Sequence, residues 1–298
     1  MSNALGTLSS SLILQEALDL AVKVHPALTS VTTDFSAQPA KKGQSIISRT
    51  LGKPTVSNFG SAATDSADAD VTVTLSNFKE VRYKFTAAEV ASTNRNLIRE
   101  RAMPMALAIG DYLAGIVATE LALNTDFTTE VVEALADVDY QTLTSAREAL
   151  TATLEAPLND RYAAVKPAAF TKLLNDSLCN RQYKNTGDDP IASGRLNQIA
   201  GFQSVDEWQG WPTTDNGIGA FWHKSAVCLA VRPIANPEEY GIKFPGNIGI
   251  VTNSDPTAPF SVLAFESINA SDLSVETVMV FLAGVAKGNN FCARLVTA

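Results

Sequence analysis

The stretch from Gln44 to Thr86 constrains the fold more than any other, because it reads as a long two-stranded extension without a core of its own. Ile46-Ile47-Ser48-Arg49 opens one arm and Thr55-Val56 extends it, with Gly52 and Pro54 as punctuation. The tip, Ser57 to Asp70, is mainly Ser, Asn, Gly, Asp and Ala, the chemistry of turns and loops. The return arm alternates. Val71, Val73 and Leu75 share one face against Thr72 and Thr74, and Val81, Tyr83 and Phe85 share one against Arg82 and Lys84. A lone ribbon is marginal in water, and its open edges invite pairing with other chains. It must therefore lie on something. Its residues alone leave two placements: a hairpin folded back on its own domain, or an arm laid over a neighbouring subunit. Ordinary domains are full of half-buried hairpins, so the first is the plainer reading.

At 298 residues the chain can bury a large core, and its length allows one or two domains. Charged residues make up 18%, low against the roughly 25% of average soluble domains, which suits a surface covered by partners. The net charge of −8 argues against a dedicated nucleic-acid binder, which needs clustered Lys and Arg to neutralise phosphates. It is compatible with a container whose acidic wall keeps an enclosed polymer from sticking. Cys179, Cys228 and Cys292 are odd in number and far apart, so a reducing compartment is expected. Neither a secretory signal nor the roughly 18 uninterrupted apolar residues of a membrane span is visible, and the expectation is a soluble intracellular product.

Ser9 to Val24 has helical periodicity, with Leu14, Leu18, Ala21 and Val22 on one side. Thr86-Ala87-Ala88-Glu89 has capping-box spacing. A long Ala-rich helix is expected from about Thr93 to Ala122, with Met105, Ile109, Leu113, Ile116 and Val117 on one stripe and a kink or restart at Pro104. Arg95, Arg99 and Arg101 near its start oppose the macrodipole, which leaves a solvated face or acidic partners elsewhere as their explanation. Val131 to Ala156 reads as mainly helical, Tyr162 to Val165 as a buried strand, and Pro167 to Leu178 as a helix opened by proline. Strand candidates then lie within 220–233, 241–252, 260–265, 275–285 and 291–296.

The familiar catalytic constellations are missing from the sequence. His25 and His223 are the only histidines, and His223 with Cys228 is too sparse for a structural zinc site. The sequence holds no GxSxG elbow, Walker A loop, GxGxxG or HExxH motif. Asp65, Asp68 and Asp70 lack the glycine and terminal Glu of a calcium loop and read as a solvated tip. Trp208, Trp211 and Trp222 have few basic neighbours, so packing explains them better than base stacking. No catalytic, cofactor or metal residue is nominated. Architecture is left as the role.

Taken in order, these segments resemble the major capsid proteins of tailed bacteriophages, the Hong Kong 97-type fold family. The resemblance runs through Lys41-Lys42-Gly43 leading into the hairpin, Tyr83-Lys84-Phe85-Thr86, the Ala-rich helix and Pro167 to Leu174. It continues in Ile199-Ala200-Gly201-Phe202 and, most tellingly, in Ala220-Phe221-Trp222-His223-Lys224-Ser225-Ala226-Val227 onward to Pro233, where Trp222 is an insertion. The resemblance implies an α+β fold with an N-terminal arm (1–43), an extended β-hairpin loop (44–86), a peripheral domain with a long spine helix (87–126 and 240–298) and an axial domain (127–239). In that context the ribbon is expected to lie over a neighbour. The implied function is a shell subunit that forms pentamers and hexamers around phage double-stranded DNA, without sequence-specific binding and without a membrane. Such a chain is assembled in the host cytoplasm and ends in the virion.

An encapsulin-type compartment holding a cargo enzyme is the alternative within the fold; an enzyme with an unrecognised site and a tail or decoration protein are the others. The chain starts almost at the arm, so no cleavable scaffolding segment is expected in it, which leaves room for a separate scaffolding protein beside a portal and a cement protein. Arg49, Lys53, Lys79, Arg82, Lys84, Arg95 and Arg99 are the candidate intersubunit contacts, expected to meet acidic residues of an adjacent subunit. Gly43, Gly52 and Gly60 are the candidate hinges, with local turn geometry as the plainer account of each.

Overall fold

A single 14-residue strand, Ser274–Lys287, organises much of the molecule, because it is buried on both faces. The computed structural model describes residues 13–19, 28–50, 58–59, 69–86, 88–89, 97–179, 196–212, 216–236, 241, 246–252, 260–269 and 274–297. In chain order the strands are β1 (Thr32–Phe35), β2 (Ser45–Thr50), β3 (Ala69–Thr74), β4 (Asn77–Phe85), β5 (Thr129–Val132), β6 (Arg161–Val165), β7 (Leu196–Ile199) and β8 (Phe202–Glu207). They continue with β9 (Gly217–His223), β10 (Val227–Arg232), β11 (Gly246–Thr252), β12 (Ser261–Asn269), β13 (Ser274–Lys287) and β14 (Cys292–Val296). The helices are α1 (Leu97–Ala122), α2 (Tyr140–Glu148) and α3 (Pro167–Asn175), and residues 13–19 are also helical.

β13 is the spine of the first sheet, ordered β1-β10-β13-β12-β11, with β4 also paired to β13. Its run from Val278 to Ala283 does not alternate in polarity because each side of the strand faces a different core. Met279, Phe281 and Ala283 join the core under α1, whereas Leu282 joins a smaller cluster beneath the ribbon. β10 divides the same way: Val227, Leu229 and Val231 face α1, and Cys228 and Ala230 face the ribbon. α1 supplies Met105, Ile109, Leu113 and Val117, a stripe at helical spacing that is buried against this sheet. Each such fully buried side chain contributes about 1.5–3 kcal/mol.

The second sheet runs β5-β14-β9-β6-β8-β7. It too is a shared wall. Phe221 on β9 enters the core formed with α2 and α3, beside Leu143, Phe170 and Leu173, while its neighbour Trp222 enters the main core. Trp222 is completely buried, packs with its ring tilted against Trp208 at 5.6 Å between centroids, and donates its indole N–H to Ser30 O at 2.9 Å. It thereby ties the segment after the first helix to the sheet.

Local chemistry accounts for several boundaries. Asp139 caps α2 by accepting from the Gln141 and Thr142 amides at 2.8 and 3.1 Å, and Thr142 Oγ1 accepts from Asp139 N, the reciprocal arrangement of a capping box. Pro167 stands at the first position of α3, where its missing N–H costs nothing. Ala200 and Gly201, with φ of 50° and 86°, make the two-residue turn between β7 and β8, where left-handed backbone at both positions matches the twist of the hairpin.

Two expectations from sequence are corrected. α1 does not restart at Pro104 but continues through it, and Pro104 lies on the exposed side, where water can satisfy the carbonyl that proline leaves without a donor. Val131 and Val132 belong to β5, held by β14, rather than to a helix. The strands expected within 220–233 form, as two strands in different sheets separated by a 3-10 turn at Lys224–Ala226. β14 belongs to the second sheet, so the chain passes between the sheets at 224–226 and at 288–291 as well as through α1, from β4 to β5.

Candidate assembly surfaces

The ribbon seen in the sequence is β2 and β3, paired antiparallel from Ser45↔Thr74 to Thr50↔Ala69. Its inner side rests on the first sheet, where Val73 and Leu75 are 1% and 0% exposed and pack with Cys228, Ala230 and Leu282. At Gly284 the ribbon backbone comes so close that a Cβ would meet Thr74 O and lie 2.9 Å from Thr74 C. This is the close approach an isolated glycine inside a strand signals, although Gly284 does not stand out in the sequence from its apolar neighbours. The outer side carries Ile47, 66% exposed, with Ser45, Thr72 and Thr74 also exposed. Thr55-Val56 and nearly all of the tip lie outside the described residues.

The second half of the alternating stretch departs from this ribbon. β4 pairs with β13 from Asn77↔Ala283 to Phe85↔Val275 and is a strand of the first sheet. Lys79, Arg82 and Lys84 therefore stand on that sheet, not on the ribbon. Arg82 reaches Glu80 at 3.1 Å and Glu276 at 3.5 Å. Both of these carboxylates belong to its own chain. The Lys79 ammonium lies 5.4 Å from the centre of the Tyr112 ring, and Lys84 is exposed. Arg101 sits over the Tyr83 ring at 4.5 Å, which gives this cation near the start of α1 a partner that the sequence did not reveal.

Of the other contact candidates, Arg49 is opposite Asp70 in the ribbon register, and the backbone of Arg99 lies in the first turn of α1. The side chains of Arg49 and Arg99, and all of Lys53 and Arg95, lie outside the described residues, as do the hinge candidates Gly52 and Gly60. Gly43 adopts φ of 82° in a turn that Gln44 N closes onto Lys41 O, and its own N–H donates to Leu75 O at 2.9 Å. That is turn geometry which sets the ribbon register.

The capping box at the end of β4 forms as its spacing predicts. Thr86 N donates to Glu89 Oε2 at 2.8 Å, and Glu89 N donates to Thr86 Oγ1 at 3.3 Å. The hydrogen bonds from the Thr86 amide and hydroxyl, with Arg101 nearby, hold the Glu89 carboxyl below the usual carboxylate range.

Arg161 is buried and donates to Pro157 O, Thr151 Oγ1 and Ala156 O, fixing the loop that follows the π-helical segment Ala149–Thr153. All three cysteines are buried and free, and burial with the Asp176 charge pushes the Cys179 thiol up to about 12. Among the described residues there is no group of three or more His, Cys, Asp or Glu placed to hold a metal.

No protein-family model and no curated protein matches the sequence. Solved structures do match in shape. The capsid structure of the cyanophage P-SCSP1u superposes with a TM-score of 0.59 at 15% identity, covering 90% of this chain and 86% of that one. The head structure of Helicobacter pylori bacteriophage KHP40 gives 0.53 at 13% identity over 90% and 88%. A chain of Mycobacterium phage Che8 gives 0.53 at 15% identity over 85% of each. The chain has the α+β fold of bacteriophage capsid proteins, the Hong Kong 97-type fold implied by its motifs.

Proposed function

We propose that this chain is the major capsid protein of a tailed bacteriophage, a structural subunit that self-assembles into pentamers and hexamers of an icosahedral shell around double-stranded DNA. The observation that carries this reading is the end-to-end likeness to capsid chains, nine-tenths of this chain against 86% of the cyanophage one. The ribbon supports it. Its inner side is satisfied by its own sheet, while Ile47 is exposed and, among the described residues, neither β2 nor β3 pairs with a third strand, which suits strand-edge or strap-like contact with a neighbouring copy.

In this reading α1 and the sheet around β13 form the peripheral domain. The second sheet with α2 and α3 forms the axial domain, and residues 1–43 form the arm. Arg49 and Lys53 on the ribbon, Lys84 on β4, and Arg95 and Arg99 near α1 meet acidic groups of neighbours, while Lys79 and Arg82 serve their own chain. Gly52 and Gly60 let the ribbon follow non-identical neighbours. The wall encloses DNA without reading its sequence, consistent with a net charge of −8. Scaffold, portal and cement proteins are the expected accessory partners.

Negative-stain and cryo-electron microscopy of the expressed chain test this directly. Closed particles of uniform size are expected, and particles recovered from an infected host should contain nucleic-acid density. A discrete monomer or dimer at high concentration would overturn the shell reading; a protein cargo in place of nucleic acid would redirect it to a storage compartment.

A further inference from the structure

Two of the crossings between the sheets, at 224–226 and 288–291, meet at one residue, Ser225. Its carbonyl accepts from Asn289 N at 2.9 Å, and its hydroxyl accepts from Asn289 Nδ2 at 3.1 Å. Beside it, Gly288 N donates to Ala226 O, and a Cβ on Gly288 would collide with Ser225 O, so the two crossings touch backbone to backbone. Thr32 Oγ1 adds a link from β1 to Lys224 O at 3.2 Å. The 3-10 turn at this node has one side-chain cap. His223 Nδ1 accepts from Ser225 N at 3.2 Å and lies 2.8 Å from Ser225 Oγ. An Nδ1 that accepts from a backbone N–H carries no proton, so this arrangement requires the neutral ring.

We infer that His223 is a proton-sensitive latch at the junction of the two sheets: protonation of Nδ1 sets an N–H against the Ser225 N–H and releases the backbone cap, leaving only a donation from Nδ1 to Ser225 Oγ, and so loosens the paired crossings at 224–226 and 288–291. The inference rests on the fold and this hydrogen-bond geometry, not on the shell reading.

The surroundings set the direction. The ring is half-buried, pairs edge-on with Phe291 at 5.9 Å between centroids, and stands opposite Arg161 in the β6–β9 register. Burial pushes its proton affinity down and the Arg161 charge adds to that, while the Asp160 carboxylate opposes them. Asp160 is held by Gln203 Nε2 at 3.0 Å and Asn159 Nδ2 at 3.0 Å, and its carbonyl accepts from Lys224 N. The folded affinity is thus below the ordinary value near 6.5. The sign follows: the unfolded chain binds the proton more readily, so the junction is fully stable above about pH 6.5 and weakens as pH falls through the lowered value.

Hydrogen exchange on the full chain tests this, with rates corrected for the intrinsic pH dependence of exchange. Between pH 7.5 and 5.0 the protection of Ser225, Gly288 and Asn289 amides should fall about tenfold, the scale of losing one net hydrogen bond, while β6 and β13 hold theirs. In His223→Asn, whose amide oxygen can cap Ser225 N without titrating in this range, the fall should vanish. An equal fall in the variant, or none in the wild type, overturns the latch. A nuclear magnetic resonance titration of the wild-type ring gives a second reading independent of any variant. A ring protonated at Nδ1 at neutral pH, or one titrating at or above 6.5, also overturns it.

Discussion

β3 and β4 are successive pieces of one alternating stretch, separated by Leu75 and Ser76, and they have opposite fates. β3 pairs with β2 and lies across the face of the first sheet, burying Val73 there with Leu75 just beyond its end. β4 enters that same sheet beside β13 and turns Val81 and Tyr83 to the opposite face, under α1. The pattern of polar and apolar residues is the same in both. What differs is the partner, and the partner is chosen by groups far away in sequence: Gly284, which lets Thr74 sit against the sheet, and the edge of β13, which β4 occupies. Alternation specifies a strand with one buried face, and tertiary contacts decide which face of which sheet receives it.

The largest expected effect strikes the contact that separates the two fates. In Gly284→Val the new side chain meets the Thr74 backbone, which cannot move aside as the end of a flexible side chain would. A loss of about 3 kcal/mol in denaturant unfolding is expected, the upper range of overpacking, with exchange protection falling first in 45–50 and 69–75. If β4 loses protection first, the two pieces are one unit and the comparison fails.

Truncation sharpens the same contrast at the side chains. Leu75→Ala removes a side chain that is 0% exposed and should cost about 3 kcal/mol. Val81→Ala acts on a half-buried position against α1 and should cost about 1 kcal/mol. Urea midpoints at unchanged slope measure both. Equal costs would show that the ribbon base is no better anchored than an ordinary edge strand.

The sequence displayed what is local. Thr86 and Glu89 form their capping box because both partners lie within one turn, and Pro167 and the Ala200-Gly201 turn carry their backbone requirements in their own identity. The packing role of the tryptophans was legible for a related reason: three large rings with few cations nearby have only a core to fill. Partners in space were hidden. Nothing near Arg82 in sequence announces Glu276, and nothing near Arg101 announces Tyr83 as the ring beneath it. The polar run His223-Lys224-Ser225 marks a break between two buried apolar runs, but nothing local says that the runs belong to different sheets. The latch residue illustrates both halves. His223 was visible as one of two histidines, but its duty toward Ser225 and the 288–291 crossing emerges only where the two sheets meet.

A smaller effect concerns what holds β4 to the helix. Arg101→Ala removes the cation over Tyr83 and should cost about 0.5–1 kcal/mol, the range for exposed cation–π pairs. Tyr83→Leu should remove the same increment, and the double variant should lose less than the sum of the two. Strict additivity, measured by a double-mutant cycle in urea, would show that the contact contributes nothing.

The smallest expected effect separates sheet charge from ribbon charge. Arg82 is 51% exposed and paired with Glu80 and Glu276 in its own chain. Surface pairs of this kind contribute about 0.5 kcal/mol, so Arg82→Glu should leave the subunit folded and only slightly less stable. If β4 serves the sheet alone, this reversal also leaves the rate and yield of particle assembly unchanged. Reversal of Arg49 and Lys53 together, in the ribbon proposed to cross onto a neighbour, should slow assembly at low salt, with the difference shrinking as added salt screens exposed charge. Light scattering during assembly, followed at two ionic strengths, reads both variants. Slowing by Arg82→Glu as great as that of the ribbon pair would mean that the free edge of β4 also meets another subunit, and that the two halves of the stretch share one role despite their different sheets.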